Sequence, residues 1–265
     1  MLWIIAVALL GLLPVALYSC SDDDETAPDN HFEYGTVADI DGNAYRTVVI
    51  GEQEWMVENL RVTRYTNGDP IPTDFNDHEW ENTTEGAYAI YPHDSITGFH
   101  TAEEVLEAYG ALYNWHAVQT GSLCPEGWSV PSDGDWTQLV DSLMAKHDLH
   151  NLWGISDVDG VGNALKSCRQ ANSPLGGGFN TSRHPRWDPH DTHYGMNAFG
   201  LSLLPGGSRI PSGEYFLLGT TGYWWSADEH SVNYAWSREA SKDLGNLGRY
   251  FPDKSSGFSV RCIRD

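Results

Sequence analysis

Five side chains in SRHPRWDPHDTHYG, Ser182–Gly195, have the chemistry of a metal site. His184, His190 and His193 lie with Asp188 and Asp191 inside 10 residues. Imidazole beside carboxylate suits zinc or another transition metal. The stretch has no periodicity that would bring the five to one face, so a solvated polar loop is the competing reading. Calcium needs several converging oxygens, and the chain's acids form no pattern that assembles them. No cofactor is therefore expected, with calcium or zinc the ions these donors would suit.

A second group is aromatic. In a strand, the adjacent Trp224 and Trp225 point to opposite faces. One is expected in the core and the other at least partly on the second face. An exposed indole beside Arg209, Asn233 or Trp236 would stack on a sugar or on a partner's side chain. The alternative is that both faces are covered. Motifs of catalysis are missing: there is no Gly-x-Ser-x-Gly, no His-Glu-x-x-His and no phosphate loop. The chain is read as a non-enzyme, with a metal-dependent enzyme built on residues 184–193 as an alternative.

Charge narrows the partners. Asp and Glu number 37 against 15 Lys and Arg, for a net charge of −22. This disfavours nucleic acid, whose binding rests on cationic neutralisation of phosphates, and docking on anionic lipid. The first 19 residues, MLWIIAVALLGLLPVALYS, carry no charged side chain. Such a run has the length of a membrane span or serves as a secretory signal. Leu17-Tyr18-Ser19-Cys20 resembles a bacterial lipoprotein lipobox, which implies a signal peptide over 1–19 and lipidation of Cys20. The bulky Tyr18 and the absence of a preceding Lys or Arg leave an uncleaved anchor or plain secretion as alternatives. Ser21, Asp22, Asp23, Asp24 and Glu25 resemble the acidic export tag of Bacteroidetes surface lipoproteins. That likeness implies a lipid-anchored protein of the outer membrane, facing outward. The same run also suits a solvated tether over 20–35, because like charges repel and keep it extended.

The elements that must position these residues begin at Thr36. Two β-rich runs flank Asp41-Gly42-Asn43, a hairpin signal. A further strand run ends at Asn67-Gly68, and Ala87–Tyr91 is a short strand candidate. Thr101–Gln119 reads as one helix, with Thr101 as cap and Glu104 in capping-box position. Ser132 with Asp135 starts a second helix through Trp136, Leu139, Val140 and Leu143. Residues 151–196 have no clear period and read as a long irregular region, uncommon unless functional or mobile. The last third is again short β runs broken by Gly and Pro. The sum is α+β with an antiparallel sheet.

Four stretches occur together and in order: DIDGNAYRTVVIGEQEWMVENL, GALYNWHAV, CPEGWSVPSDGDWTQL, and the closing set LLPGGSR, GYWWSA and GFSVRCIRD. Together they resemble the Fibrobacter succinogenes major paralogous domain, over residues 36–265. That resemblance implies a C-type-lectin-like fold with two helices and a long irregular loop region. It implies that GFSVRCIRD is the final strand, with Phe258, Val260 and Cys262 on one face and Ser259, Arg261 and Ile263 on the other. It also implies the long-range disulfide of lectin-like domains, here Cys124–Cys262, in an exported chain that permits oxidation. Cys168 is then a buried small residue or an unpaired thiol. Formylglycine-generating enzymes of the same fold group use a copper-binding cysteine pair, which this assignment leaves unavailable. The Glu-Pro-Asn, Gln-Pro-Asp and Trp-Asn-Asp motifs of calcium-dependent lectins are absent, and Trp187-Asp188-Pro189 is close only superficially. The expected function is binding of a glycan or surface protein without catalysis. The alternative is a structural or assembly component of the cell surface.

Overall fold

A computed structural model of the chain describes residues 32–152 and 159–265. The expected signal peptide, Cys20 and the Ser21–Glu25 tag lie outside the described residues. Strands β1 (Gly35–Ala38) and β2 (Ala44–Ile50) form the hairpin expected at Asp41-Gly42-Asn43. The Asp39 carboxylate closes it, accepting from the N–H groups of Asp41 and Asn43 and from the Tyr45 hydroxyl. Gly42 sits at φ 87°, a backbone region that glycine enters without strain. Strand β3 (Gln53–Met56) pairs with β2. A short helix α1 (Asp77–Asn82) follows, then β4 (Tyr88–Ala89), inside the run expected as a strand.

The single helix expected over Thr101–Gln119 is interrupted. Helix α2 (Ala102–Tyr109) starts with the Thr101–Glu104 capping box but ends at Gly110. Gly110 has φ 77°, and a Cβ there would stand 2.6 Å from Asn59 Cβ. This positive-φ cap ends the helix although the apolar spacing continues, and the close approach of Asn59 admits only glycine there. The chain continues as β5 (Leu112–Tyr113), paired with β4, and helix α3 (Trp115–Val118). Strand β6 (Trp128–Ser129) precedes helix α4 (Asp133–His147), whose Ser132–Asp135 capping box and buried Trp136, Leu139, Val140 and Leu143 match the periodicity. Within the region expected to be irregular, Val161–Leu165 forms helix α5. All five of its residues are buried, so it has no polar face for a periodicity to reveal.

The last third supplies β7 (Gly206–Arg209), β8 (Tyr215–Leu218), β9 (Thr221–Glu229), β10 (Ala235–Ser241), β11 (Gly248–Tyr250) and β12 (Ile263–Arg264). One five-stranded sheet has the order β1-β2-β3-β12-β6 and another β11-β10-β9-β7-β8. Pairing is antiparallel except between β7 and β9. The fold is thus α+β, rich in mostly antiparallel sheet. The chain's last strand lies beside β3, in the sheet that also holds β1. The final segment is shorter as a strand than expected: residues 258–262 run extended, with isolated bridges from Phe258 to Tyr113 and from Ser259 to Trp224. Its alternation is as expected. Phe258, Val260 and Cys262 enter one core and Ile263 the other.

Those two cores occupy opposite faces of β9. Trp225 packs with Tyr45, Met56, Tyr113 and Val260, whereas Trp224 packs with Trp55, Trp136, Leu165 and Trp187. The Cys124–Cys262 disulfide is formed, with the two Cα atoms 6.0 Å apart. Cys168 is buried as expected but is not a free thiol. Among the described residues, no helix is long and apolar enough to cross a membrane.

Candidate functional site

A concavity of about 770 Å³ runs along α2. The helix buries Val105 and Tyr109 and so turns Glu103 and Glu107 outward along one wall. Glu107 pairs with Arg61 at 3.1 Å. Glu103 and Glu104 are held below the usual carboxylate range. For Glu103 the backbone N–H of its own residue is the main cause, and for Glu104 that of His100. Across the groove β2 contributes Arg46, which pairs with Glu58 at 2.7 Å, and the irregular region contributes Arg169. Arg169 donates to the Pro185 carbonyl at 2.9 Å, which fixes the loop that carries His184.

His184 and Phe99 make the aromatic part of the lining, with ring centroids 5.0 Å apart. The Tyr109 hydroxyl is hydrogen-bonded to His184 Nδ1 at 2.6 Å and accepts the Arg186 N–H at 3.1 Å. Burial, and after it the charge of Arg186, lowers the His184 pKa below its ordinary value. The imidazole is then neutral at neutral pH. Burial drives Tyr109 well above the usual phenol value, so its proton stays in place. The groove therefore combines a half-buried aromatic pair, fixed guanidinium groups and ionised carboxylates. Such a surface can stack on an apolar ring face while hydrogen-bonding polar substituents around it.

The Fibrobacter succinogenes major domain pattern matches residues 48–264. The chain belongs to this family. Neither curated proteins nor solved structures yielded a match. The Fibrobacter succinogenes major domain of this chain contains every groove residue named above except Arg46, together with both cysteines of the disulfide.

The fold scatters the residues singled out by type. Among the described residues, no three His, Cys, Asp or Glu side chains converge as a metal site. His184 faces Tyr109 and Phe99 in the groove, while Asp188 pairs with Arg186 at 2.6 Å. His190 stacks on His193 at 4.8 Å, and its Nδ1 accepts the His193 N–H, which commits that nitrogen to the loop's own backbone. Asp191 is exposed. The expectation of an exposed indole at 224–225 is corrected as well. Trp224 and Trp225 are both 0% exposed, because each face of β9 has its own core. Trp224 donates its ring N–H to Asn59 Oδ1 and Trp225 to the Tyr113 carbonyl.

Arg209 is buried too, stacked between Trp80 and Tyr215 and donating to the Gly213 and Phe75 carbonyls. Asn233 is exposed at the turn between β9 and β10. Trp236 is half-buried, with the Arg249 guanidinium 3.6 Å over its ring. Phe99, Arg169, Arg46 and Glu107 were not singled out in the sequence. Only Glu107 had a signal, the helical spacing of α2 that buries Val105 and Tyr109 and leaves Glu103 and Glu107 outward. The strand and loop opposite it are joined only by the fold.

Proposed function

We propose that this protein is a cell-surface lipoprotein whose C-type-lectin-like domain binds a glycan in the α2 groove without catalysis. The observation that carries this reading is the groove's aromatic pair, Phe99 and His184, set among carboxylates and the Arg169 guanidinium. Sugars present apolar ring faces edged by hydroxyls, and this mixture answers both. The lectin-like assignment is supported by three features: the first and last strands share a sheet, Cys124–Cys262 ties the terminal segment to the stretch between α3 and β6, and a long weakly regular region separates α4 from the last strands. The surface address is supported by the lipobox-like and acidic segments of the sequence.

The test is a glycan array probed with the domain carrying its disulfide, followed by titration of any hit. Phe99→Ala and Arg169→Ala are each expected to weaken binding by about tenfold. Hits that survive both substitutions, or no hit at high protein concentration, would refute the groove as a glycan site.

A further inference from the structure

A second concavity, about 340 Å³, lies on the Trp225 face of the β9–β10–β11 sheet and shares no residue with the α2 groove. Its lining is built by strand register. Tyr223 of β9 stands opposite Glu239 of β10, and Ser237 of β10 stands opposite Tyr250 of β11. Directly opposed residues share a face, so three strands deliver two phenols and one carboxylate to the same hollow. Phe251 and Phe258 complete the walls. Phe258 stacks on Tyr223 with centroids 4.7 Å apart and planes 15° from parallel. Phe251 is half-exposed, and His230 stacks at 4.2 Å on it.

Glu239 is the odd member. It is the only charged side chain of the lining, and among the described residues no Lys, Arg or His forms an ion pair with it. Its strand neighbour Arg238 points to the opposite face, where it pairs with Asp133 at 2.6 Å. Burial raises the Glu239 carboxyl above its ordinary value. Ring faces carry negative potential, so aromatic walls are poor company for a lone carboxylate and good company for a cation.

The shape of the chemistry selects among cations. A primary ammonium brings three donors that each need an acceptor, and besides the Glu239 carboxylate the hollow offers only the Ser237 hydroxyl and two phenols, which are donors themselves. A quaternary ammonium needs none, because its charge is spread over methyl groups that rest on ring faces. We propose that this hollow binds a quaternary ammonium group, with the rings of Tyr223, Tyr250 and Phe251 around the methyls, Phe258 backing Tyr223, and Glu239 balancing the charge.

Calorimetric titration of the domain with choline, trimethyllysine amide and the uncharged dimethylbutanol analogue of choline tests this. Saturable binding of a cation is expected, with the uncharged analogue at least about tenfold weaker. Glu239→Gln should weaken the cation by about tenfold without moving the thermal midpoint. Phe251→Ala, at a half-exposed position, should weaken it severalfold and stands in if the first variant is unstable. A preference for choline or for trimethyllysine would assign the group to a headgroup or to a modified side chain. Equal binding of the uncharged analogue, indifference to both substitutions, or no saturable binding of either cation overturns the proposal.

Discussion

The two faces of β9 are closed by different means. On the Trp225 side the core joins β2, β3, β4, β5, β9 and β10 with helix α3 and extended segments such as 258–262, and it is apolar and crosslinked by Cys124–Cys262. On the Trp224 side the sheet meets the irregular chain around 160–204, and two fully buried cations lie there. Arg261 donates to Asn59 Oδ1 and to the carbonyls of Met56, Leu201 and Ser202. Lys166 donates to the carbonyls of His193, Ser241 and Leu244 and sits 5.3 Å from the Trp187 ring. The contrast has a simple cause. Strands satisfy their own carbonyls in ladders, whereas irregular buried chain must find donors elsewhere. A guanidinium or ammonium carries several donors at one point and can serve three or four carbonyls at once.

The largest effect that tests this contrast is expected at Arg261. Arg261→Met takes this donor from the Met56, Leu201 and Ser202 carbonyls, while Asn59 Oδ1 keeps the Trp224 N–H, and each lost bond costs roughly 1–3 kcal/mol. The sum rivals the roughly 5–15 kcal/mol stability of a whole domain, so the variant should fail to give folded protein, read by near-UV circular dichroism. A variant that folds with a loss of only about 1 kcal/mol would break the claim that this side depends on its cations.

Next comes the disulfide. It closes a separation of 138 residues, and its removal by Cys124→Ala with Cys262→Ala should cost about 4 kcal/mol. Urea unfolding measures the loss. Hydrogen exchange should place the new opening around Tyr113 and Trp225 before the Lys166 carbonyl cluster. Uniform opening of both faces would erase the distinction between them.

The smallest effect is expected at Lys166, and pH reveals it. Burial, only partly opposed by Asp243, lowers its pKa from the ordinary lysine value to about 7. In the unfolded chain lysine titrates near about 10.4. Below pH 7 both states hold the proton and the burial penalty is fully present. Between about pH 7 and about 10 the unfolded chain holds a proton that the folded chain has released, so stability rises with pH. Lys166→Met leaves three carbonyls unserved but also removes a buried charge, so the net cost at pH 7 should be about 2 kcal/mol, and the rise should flatten, measured by urea midpoints at several pH values. Identical slopes in both proteins would mean that the three carbonyls hold the ammonium charged throughout.

What the sequence determined by itself is what short-range chemistry determines. The Asp41-Gly42-Asn43 turn, the capping boxes at Thr101 and Ser132, and the alternation of Phe258 to Ile263 each involve residues within a few positions of one another. Local backbone and capping energies are enough to specify them. The four ordered motifs likewise mark the family without reference to tertiary structure.

Tertiary structure alone decided the rest. Gly110 ends α2 at a positive φ of 77°, and Asn59, far away in sequence, leaves room there for glycine but not for a side chain. His184 joins Phe99 and Tyr109 rather than His190 and His193, since loop residues have no fixed face until other elements pack on them. Adjacent indoles at 224 and 225 were bound to point apart, but whether either met solvent depended on what covered each face of the sheet. The register that sets Tyr223 opposite Glu239 is a long-range choice of the same kind. Sequence spacing fixes the direction of a side chain within its own element, and only the packing of distant chain on that element fixes what the side chain meets.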